Sequence, residues 1–274
     1  MTAAAVIWVF GTLFGFGLIG GEGVEEQGEG LFSDAATLIA PHGPAFSIWS
    51  VIYGGIALYV IWQWLPWSRD SGWARVSRVP AAVAIALNGV WLLVTFQGWI
   101  TASVVVILAI ALSLGVLWDR VARLPAEGPV PAVLLGGTFG LYLGWVCVAV
   151  CANVAVWIVS WGWEIPIGMG AVITLVVLAV VVALVAGIGW VQTHVSWTLA
   201  FHLAVAWGLA WVAAGRFVGE LQSNLAAWGA VVATLAVAGL CIGQLRRIAA
   251  SSSGGGRSAR GESHRGGVGE VTRV

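Results

Sequence analysis

Residues 168–190 read GMGAVITLVVLAVVVALVAGIGW, a stretch without a charged, amide or imidazole side chain. A helix needs about 20 mainly apolar residues to cross the ~30 Å hydrocarbon core of a bilayer. A helix on the surface of a soluble domain carries polar residues along one face, and this stretch has no such face. It therefore predicts a transmembrane helix, and the fold depends on how many similar stretches accompany it.

Apolar runs of comparable length occur along most of the chain. We place the predicted spans at 3–20, 44–65, 79–97, 99–118, 130–157, 168–190, 194–214 and 224–245. Only Gln97-Gly98-Trp99 separates the third span from the fourth, and fusing these two would reverse the topology of every later helix. The sequence predicts an all-α fold, a polytopic membrane helix bundle of about eight transmembrane helices.

The composition supports a membrane protein and excludes several functions. Hydrophobic residues make up 60% of the chain and charged residues 9%, whereas soluble domains carry about 25% charged residues. All twelve basic residues are Arg, so a retinal pigment, which needs a lysine amine for its Schiff base, is excluded. No carboxylate or Arg lies at the centre of a predicted span, where ion-coupled transporters usually place an ionisable group.

The distribution of Arg predicts the orientation, because cytoplasmic loops carry an excess of basic residues. With eight helices and a cytoplasmic N-terminus, the cytoplasmic Arg residues are Arg69, Arg75, Arg78, Arg120, Arg123, Arg246, Arg247, Arg257, Arg260, Arg265 and Arg273. Arg216 is the exception. The opposite loops carry Glu22, Glu25, Glu26, Glu29, Asp34, Glu164 and Glu220. We predict a multi-pass protein of the cell (inner or plasma) membrane with both termini in the cytoplasm.

Trp occurs eighteen times. One group lies at predicted helix ends, where aromatic residues anchor membrane proteins at the interface: Trp62, Trp64, Trp67, Trp118, Trp161, Trp163 and Trp190. A second group lies inside predicted spans and needs another explanation: Trp91, Trp145, Trp207 and Trp211.

Three predicted helices carry aromatic and amide side chains at intervals of three and four residues, which place them on one helix face. They are Phe46, Trp49 and Tyr53 in the second helix, Asn88 and Trp91 in the third, and Tyr142, Trp145, Ala149 and Asn153 in the fifth. Trp and Tyr offer flat faces to a planar ligand, and an amide in lipid is costly unless it bonds to a ligand or another helix. The pattern fits a ligand site, and it also fits aromatic residues that pack the bundle and amides that bridge its helices.

The same segments resemble the TspO/MBR family, the tryptophan-rich sensory proteins that include the mitochondrial translocator protein. The family's second helix follows approximately F-x-x-V-W-x-x-L-Y, which Phe46, Trp49 and Tyr53 match with the Phe one residue closer to the Trp. The third-helix L-N-x-x-W occurs at 87–91. The fifth-helix Y-L-x-W-x-x-x-A-x-x-L-N occurs at 142–153, where Ala152 stands in place of the last Leu.

The resemblance covers roughly residues 1–160 and implies a five-helix core with a pocket for tetrapyrroles, sterols or synthetic ligands. It implies that the motif residues line or support this pocket, with a protoporphyrin-like tetrapyrrole as the candidate bound group. The first extracellular loop, which usually covers the pocket, is acidic here. We divide the chain into this core, an additional three-helix membrane segment at 161–249, and a disordered cytoplasmic tail at 250–274 that is rich in Ser, Gly and Arg.

His202 is a secondary candidate, because it lies near the middle of the predicted seventh span, one turn after Thr198. An imidazole within a membrane is expensive and marks a functional position by default. It would hydrogen-bond a ligand, bind haem iron axially or relay a proton. The alternative is a neutral His bonded to a neighbouring helix.

The sequence leaves three functions open. The first is a TspO-like protein that binds a flat hydrophobic ligand, the second a permease for an uncharged molecule with His202 and the amides along its path, and the third a structural subunit without a ligand. No catalytic residue and no metal site is predicted. The expected partners are membrane lipid and a hydrophobic small molecule, and no nucleic acid is expected. Five-helix relatives tend to form homodimers, so a homodimer is a further expectation. The added helices could replace that dimer interface.

Overall fold

The computed structural model describes residues 1–15, 33, 35–163 and 165–265, with backbone alone from 252 onward. Its helices are α1 (Thr2–Gly15), α2 (Ile48–Trp64), α3 (Gly72–Phe96), α4 (Ile100–Ala122), α5 (Pro129–Val159), α6 (Ile167–Val191), α7 (Val195–Val218) and α8 (Asn224–Arg265). A 3₁₀ turn at Gly43–Ser47 leads into α2, and α5 contains a π-helical stretch at Ala132–Gly137. No β-strand occurs in these ranges.

The helix lengths confirm the polytopic helix bundle. In the described ranges, seven helices are long and apolar enough to cross a membrane, and α1 is a shorter apolar helix. The predicted span 3–20 continues past the end of α1 into residues that lie outside the described ones. The predicted break between the third and fourth spans is confirmed, because Gly98 adopts a φ of +68° there and α4 begins at Ile100.

Two helices, α3 and α8, extend furthest beyond their predicted spans. α3 begins at Gly72 rather than at 79, because the Ser71 hydroxyl caps it by accepting a hydrogen bond from the Ala74 amide at 2.9 Å. The backbone of α8 continues to Arg265, and so enters the segment 250–274 that composition predicts to be disordered. Residues 266–274 lie outside the described residues.

The loops rich in Arg share one end of the bundle, as alternating up-and-down helices require. The Trp73 indole at the start of α3 donates to the Pro125 carbonyl beyond α4 at 2.9 Å. His194, just before α7, lies 3.1 Å from the Val121 carbonyl in α4, and Arg247 donates to the Gln192 carbonyl at 3.0 Å. The acidic residues 22–29, Asp34 and Glu164, which we predict at the other end, lie outside the described residues.

Arg216, the exception to the charge rule, is not a loop residue. It lies in the last turn of α7, is 1% exposed, and donates to the Thr37 carbonyl at 3.2 Å. The side chain fixes the segment before α2 at the end opposite to the Arg-rich loops. Its burial explains why it does not follow the charge distribution of the loops.

We expect a fluorescent protein fused after residue 274 to fluoresce and an alkaline phosphatase fused there to be inactive, because the Arg-rich end is predicted to be cytoplasmic. The same two reporters, inserted at Gly162 in the loop between α5 and α6, should give the opposite pattern. Reporter activity in intact cells is the measurement. Phosphatase activity at residue 274 together with fluorescence at Gly162 would contradict the predicted orientation.

Glycine residues bring α5 and α7 into close contact. A Cβ at Gly140 would lie 2.8 Å from the Ala200 Cβ, and one at Gly144 would lie 2.9 Å from the Ala204 Cβ. Small residues four positions apart let two membrane helices approach closely. α7 is therefore packed directly against α5, and it is the most buried of the seven long helices.

The predicted interfacial Trp residues divide into two groups. Trp64, Trp67, Trp161, Trp163 and Trp190 are exposed, as expected for membrane anchors. The prediction is wrong for Trp62 and Trp118, which are buried. The Trp118 ring packs against Phe201, with the ring centroids 4.9 Å apart, and its indole donates to the Ile188 carbonyl at 3.1 Å. These two residues lie at helix ends but point toward neighbouring helices.

Candidate functional site

Aromatic side chains from α2 and α5 form one cluster around Trp49. The Trp49 ring centroid lies 5.1 Å from that of Tyr53, 5.7 Å from Tyr142 and 6.2 Å from Trp145. Phe46 extends the cluster, with its ring 5.6 Å from Trp145 in an edge-to-face arrangement. The intervals of three and four residues in the two helices thus bring these five rings together. We call them the ring cluster.

An amide from α3 lies against the ring cluster. The Tyr53 hydroxyl donates to the Asn88 Oδ1 at 3.0 Å, and both side chains are buried. The Tyr142 hydroxyl donates to the Ala84 carbonyl at 3.3 Å. The two Tyr hydroxyls of the cluster therefore point toward α3.

The second predicted amide belongs to a neighbouring polar group. The Asn153 Oδ1 accepts a hydrogen bond from the Trp91 indole at 3.0 Å, and its Nδ2 donates to the Ser103 hydroxyl at 2.8 Å. Asn153 thus joins α3, α4 and α5, which is the bridging role that an amide in lipid requires. Ala149, one helical turn from both Trp145 and Asn153, is partly buried between the ring cluster and this polar group.

Two residues of this region were not identified from the sequence. Trp8 in α1 packs edge-on against Tyr53, with the ring centroids 5.4 Å apart, and its indole N–H has no hydrogen-bond partner among the described residues. Ser103 in α4 completes the bonding of Asn153. A Ser in an apolar helix is only a weak indication of a functional position, so the sequence did not point to Ser103. Trp8 has no aromatic or amide residue three or four positions away in α1, so no pattern in the sequence indicates it.

Large aromatic side chains stand between α2 and α5 at the ring cluster, where the Trp49 and Tyr142 ring centroids are 5.7 Å apart. Further along α2 the two helices approach closely, because a Cβ at Gly55 would overlap the Thr138 side chain. Gly89 contrasts with the arrangement at the ring cluster, because a Cβ there would lie 2.8 Å from the Trp8 Cα, which places α1 directly on α3. The ring cluster therefore fills the space between α2 and α5 with side chains, whereas α1 and α3 are in backbone contact.

The turn that precedes α2 is fastened to α7 by two Trp residues from inside a predicted span. The Trp207 indole donates to the Ala45 carbonyl at 2.9 Å, and the Trp211 carbonyl accepts from the His42 amide at 3.1 Å. The first contact explains the Trp207 side chain, and the Trp211 ring packs against it, with the two ring centroids 5.6 Å apart. The two hydrogen bonds also tie the entrance of α2, and with it Phe46, to the C-terminal half of the protein.

His202 lies away from the ring cluster. It is the eighth residue of α7, in the first third of the helix rather than near its middle, and it is 2% exposed. Its Nδ1 lies 2.8 Å from the Thr198 carbonyl oxygen. Because the ring lines a groove between α6 and α8, His202 does not lie on a common path with Asn88 and Asn153.

Comparison with known proteins adds one finding. The family model described as TSPO-like protein matches residues 2–242. The match extends past the motif-bearing helices to include α6, α7 and most of the apolar part of α8. No curated protein and no solved structure matches the chain.

Proposed function

The chain belongs to the TSPO-like protein family, and from this membership we propose that it is a membrane binding or sensory protein. Its ligand is a flat hydrophobic molecule of the porphyrin or sterol type, and its site lies between α2, α3 and α5. The observation that carries the proposal is the ring cluster around Trp49, where three rings contact one indole and Phe46 extends the cluster through Trp145. Rings in edge-to-face contact present flat faces to a planar guest once they turn.

Polar groups beside the rings favour a ligand with a polar edge. The Trp8 indole N–H is buried and without a partner in the part of the chain that the structure describes. A buried donor that lacks an acceptor costs roughly 1 to 3 kcal/mol. A ligand carboxylate or carbonyl placed beside Tyr53 would satisfy this donor, and it would accept from the Tyr53 hydroxyl in place of Asn88.

The packing of α2 supports entry of the ligand by side-chain rotation. Because large aromatic side chains stand between α2 and α5 at Trp49 and Tyr142, rotation of these rings would admit a ligand there while the contact of Gly55 with Thr138 holds the two helices together. Pockets that bury most of a ligand are lined mainly by apolar and aromatic groups with a few polar ones. The residues between α2, α3 and α5 have this composition.

We expect protoporphyrin to quench the Trp fluorescence of the purified, detergent-solubilised protein saturably, near one equivalent per chain. The porphyrin absorbance, followed in the same titration, should shift with the same midpoint, which separates binding from non-specific quenching among many Trp residues. The Trp64→Ala variant is the control, since Trp64 is 56% exposed on the lipid side of α2. Its midpoint should equal that of the wild type.

Weak quenching that does not saturate, with no shift in absorbance, would contradict the proposal. In that case the aromatic and amide residues serve packing alone. A flux assay in proteoliposomes with uncharged solutes would then test the permease function, and a stable co-purifying partner would favour a structural subunit.

A further inference from the structure

A groove of 940 Å³ runs between α6 and α8, far from the ring cluster. The two helices are in contact near one end, where a Cβ at Gly229 would lie 3.5 Å from the Leu178 Cδ1. Further along α8 they separate, and a Cβ at Gly239 or at Gly243 would meet no atom within 4 Å. At the Arg-rich end the Gln244 side chain, which donates to the Gly189 carbonyl, joins the two helices again. The volume lies in the range of ligand sites, about 300 to 1,000 Å³.

The groove has apolar walls and one polar end. Small residues such as Ala183, Ala186 and Gly239 form the walls. At the Arg-rich end, the Arg247 guanidinium lies 4.7 Å from the centroid of the exposed Trp190 ring and donates to the Gln192 carbonyl at 3.0 Å. The buried Arg247 Nε has no partner among the residues that the structure describes. An acidic group entering the groove here would find an available donor and a positive charge.

His202 supplies the second polar group, on the floor of the groove. Its Nδ1 lies 2.8 Å from the Thr198 carbonyl, and since a carbonyl only accepts, Nδ1 carries the proton. Nε2 of the neutral ring is then an acceptor. Nε2 is buried and unpartnered in the described part of the chain, so its natural partner is a hydroxyl donor on a molecule in the groove.

The spacing of the two polar groups restricts the ligand. A Cβ at Gly189 would lie 2.6 Å from the Gln244 Oε1 and 3.4 Å from the His202 Cε1, so these two side chains meet beside Gly189. Arg247 lies three residues after Gln244, so the Cβ atoms of these two residues are about 5 to 6 Å apart on the same face of α8. The anion and the hydroxyl of the ligand must therefore be about one helical turn apart, with the hydroxyl deeper in the membrane.

We propose that the groove between α6 and α8 binds a lysophospholipid. Its acidic phosphate pairs with Arg247, its free glycerol hydroxyl donates to the His202 Nε2, and its single acyl chain fills the space beside Gly239 and Gly243. The glycerol places the hydroxyl between the phosphate and the chain, in the order that the groove requires. The flanks of the groove are exposed toward the bilayer, so the lipid enters laterally from the membrane.

The test uses the full chain in phosphatidylcholine nanodiscs with tritiated 1-palmitoyl lysophosphatidate, and empty nanodiscs give the background. We expect saturable binding by the wild type. A 2-deoxy analogue of the same lipid should compete about fivefold to tenfold more weakly, the effect of one lost hydrogen bond. This comparison needs no variant and is independent of porphyrin binding by the ring cluster.

Two matched variants locate the lipid. Gly243→Leu fills the groove and should weaken binding at least about tenfold, whereas Gly187→Leu adds the same side chain at an exposed glycine of α6 outside the groove and should leave it unchanged. In the His202→Phe variant, the lipid and its 2-deoxy analogue should compete equally strongly. The proposal is overturned if the 2-deoxy analogue or palmitate competes for the wild type as strongly as unlabelled lysophosphatidate does. A second outcome would also overturn it: the wild type is a dimer, and Gly243→Leu makes it a monomer that still binds the lipid. The groove would then be an interface between two copies of the chain.

Discussion

The Gly144→Ala variant is expected to lose about 10 °C in apparent melting temperature. Its new Cβ would overlap the Phe201 carbonyl oxygen and would lie 2.9 Å from the Ala204 Cβ and 3.1 Å from the Phe201 carbonyl carbon. The two Phe201 atoms belong to the backbone of a helix and cannot shift locally, so α5 and α7 must separate. Overpacking of this kind costs about 3 kcal/mol, which corresponds to roughly 10 °C in a protein of this size. Size-exclusion elution after heating in detergent measures the effect.

Gly137→Ala is the matched control in the same helix. A Cβ at Gly137 meets no atom within 4 Å, and Ala is favoured over Gly in a helix by about 0.5 to 1 kcal/mol. The melting temperature of this variant should be unchanged or slightly raised. Equal melting temperatures for Gly144→Ala and Gly137→Ala would show that α5 and α7 are not packed directly together.

Much of the bundle could be predicted from local sequence. The uninterrupted apolar run at 168–190 specifies a spanning helix by its length alone, and Gly98 specifies the break after α3 because its backbone turns there with a positive φ. The intervals that join Trp49 to Tyr53 and Tyr142 to Trp145 assign each pair to one helix face. These features depend on residues within one or two turns, which is why the sequence reveals them.

Features that depend on the partner of a helix could not be predicted in the same way. Trp62 and Trp118 lie at helix ends, where interfacial Trp residues occur, but their direction depends on which helix stands beside them. Trp8 joins the ring cluster only because α1 crosses α3 at Gly89. The close contact of α5 with α7 does have a local signal, which is the four-residue spacing of Gly140 and Gly144. The sequence does not say which helix packs against these two glycines.

Replacing Trp145 and Asn153 together by Ala is expected to weaken protoporphyrin binding about a hundredfold. Trp145 contributes a flat face to the ring cluster, and Asn153 orients the Trp91 indole at 3.0 Å. A lost stacking face and a lost hydrogen bond each cost up to about 1.5 kcal/mol, and their sum corresponds to a factor of about a hundred in affinity. Fluorescence and absorbance titrations of the variant and the wild type measure the change.

The control must separate loss of the site from loss of the fold, because removing a buried Trp costs about 3 to 5 kcal/mol in stability wherever it lies. Trp197→Ala provides it, since Trp197 at the start of α7 is as buried as Trp145 but packs against α4 outside the ring cluster, with its ring centroid 5.8 Å from that of Trp118. Both variants should melt at lower temperatures than the wild type, and only the one that lacks Trp145 and Asn153 should lose affinity. If both variants bind as the wild type does, the ring cluster is not the ligand site. If both lose affinity in proportion to their stability, binding reports the fold rather than a site between α2, α3 and α5.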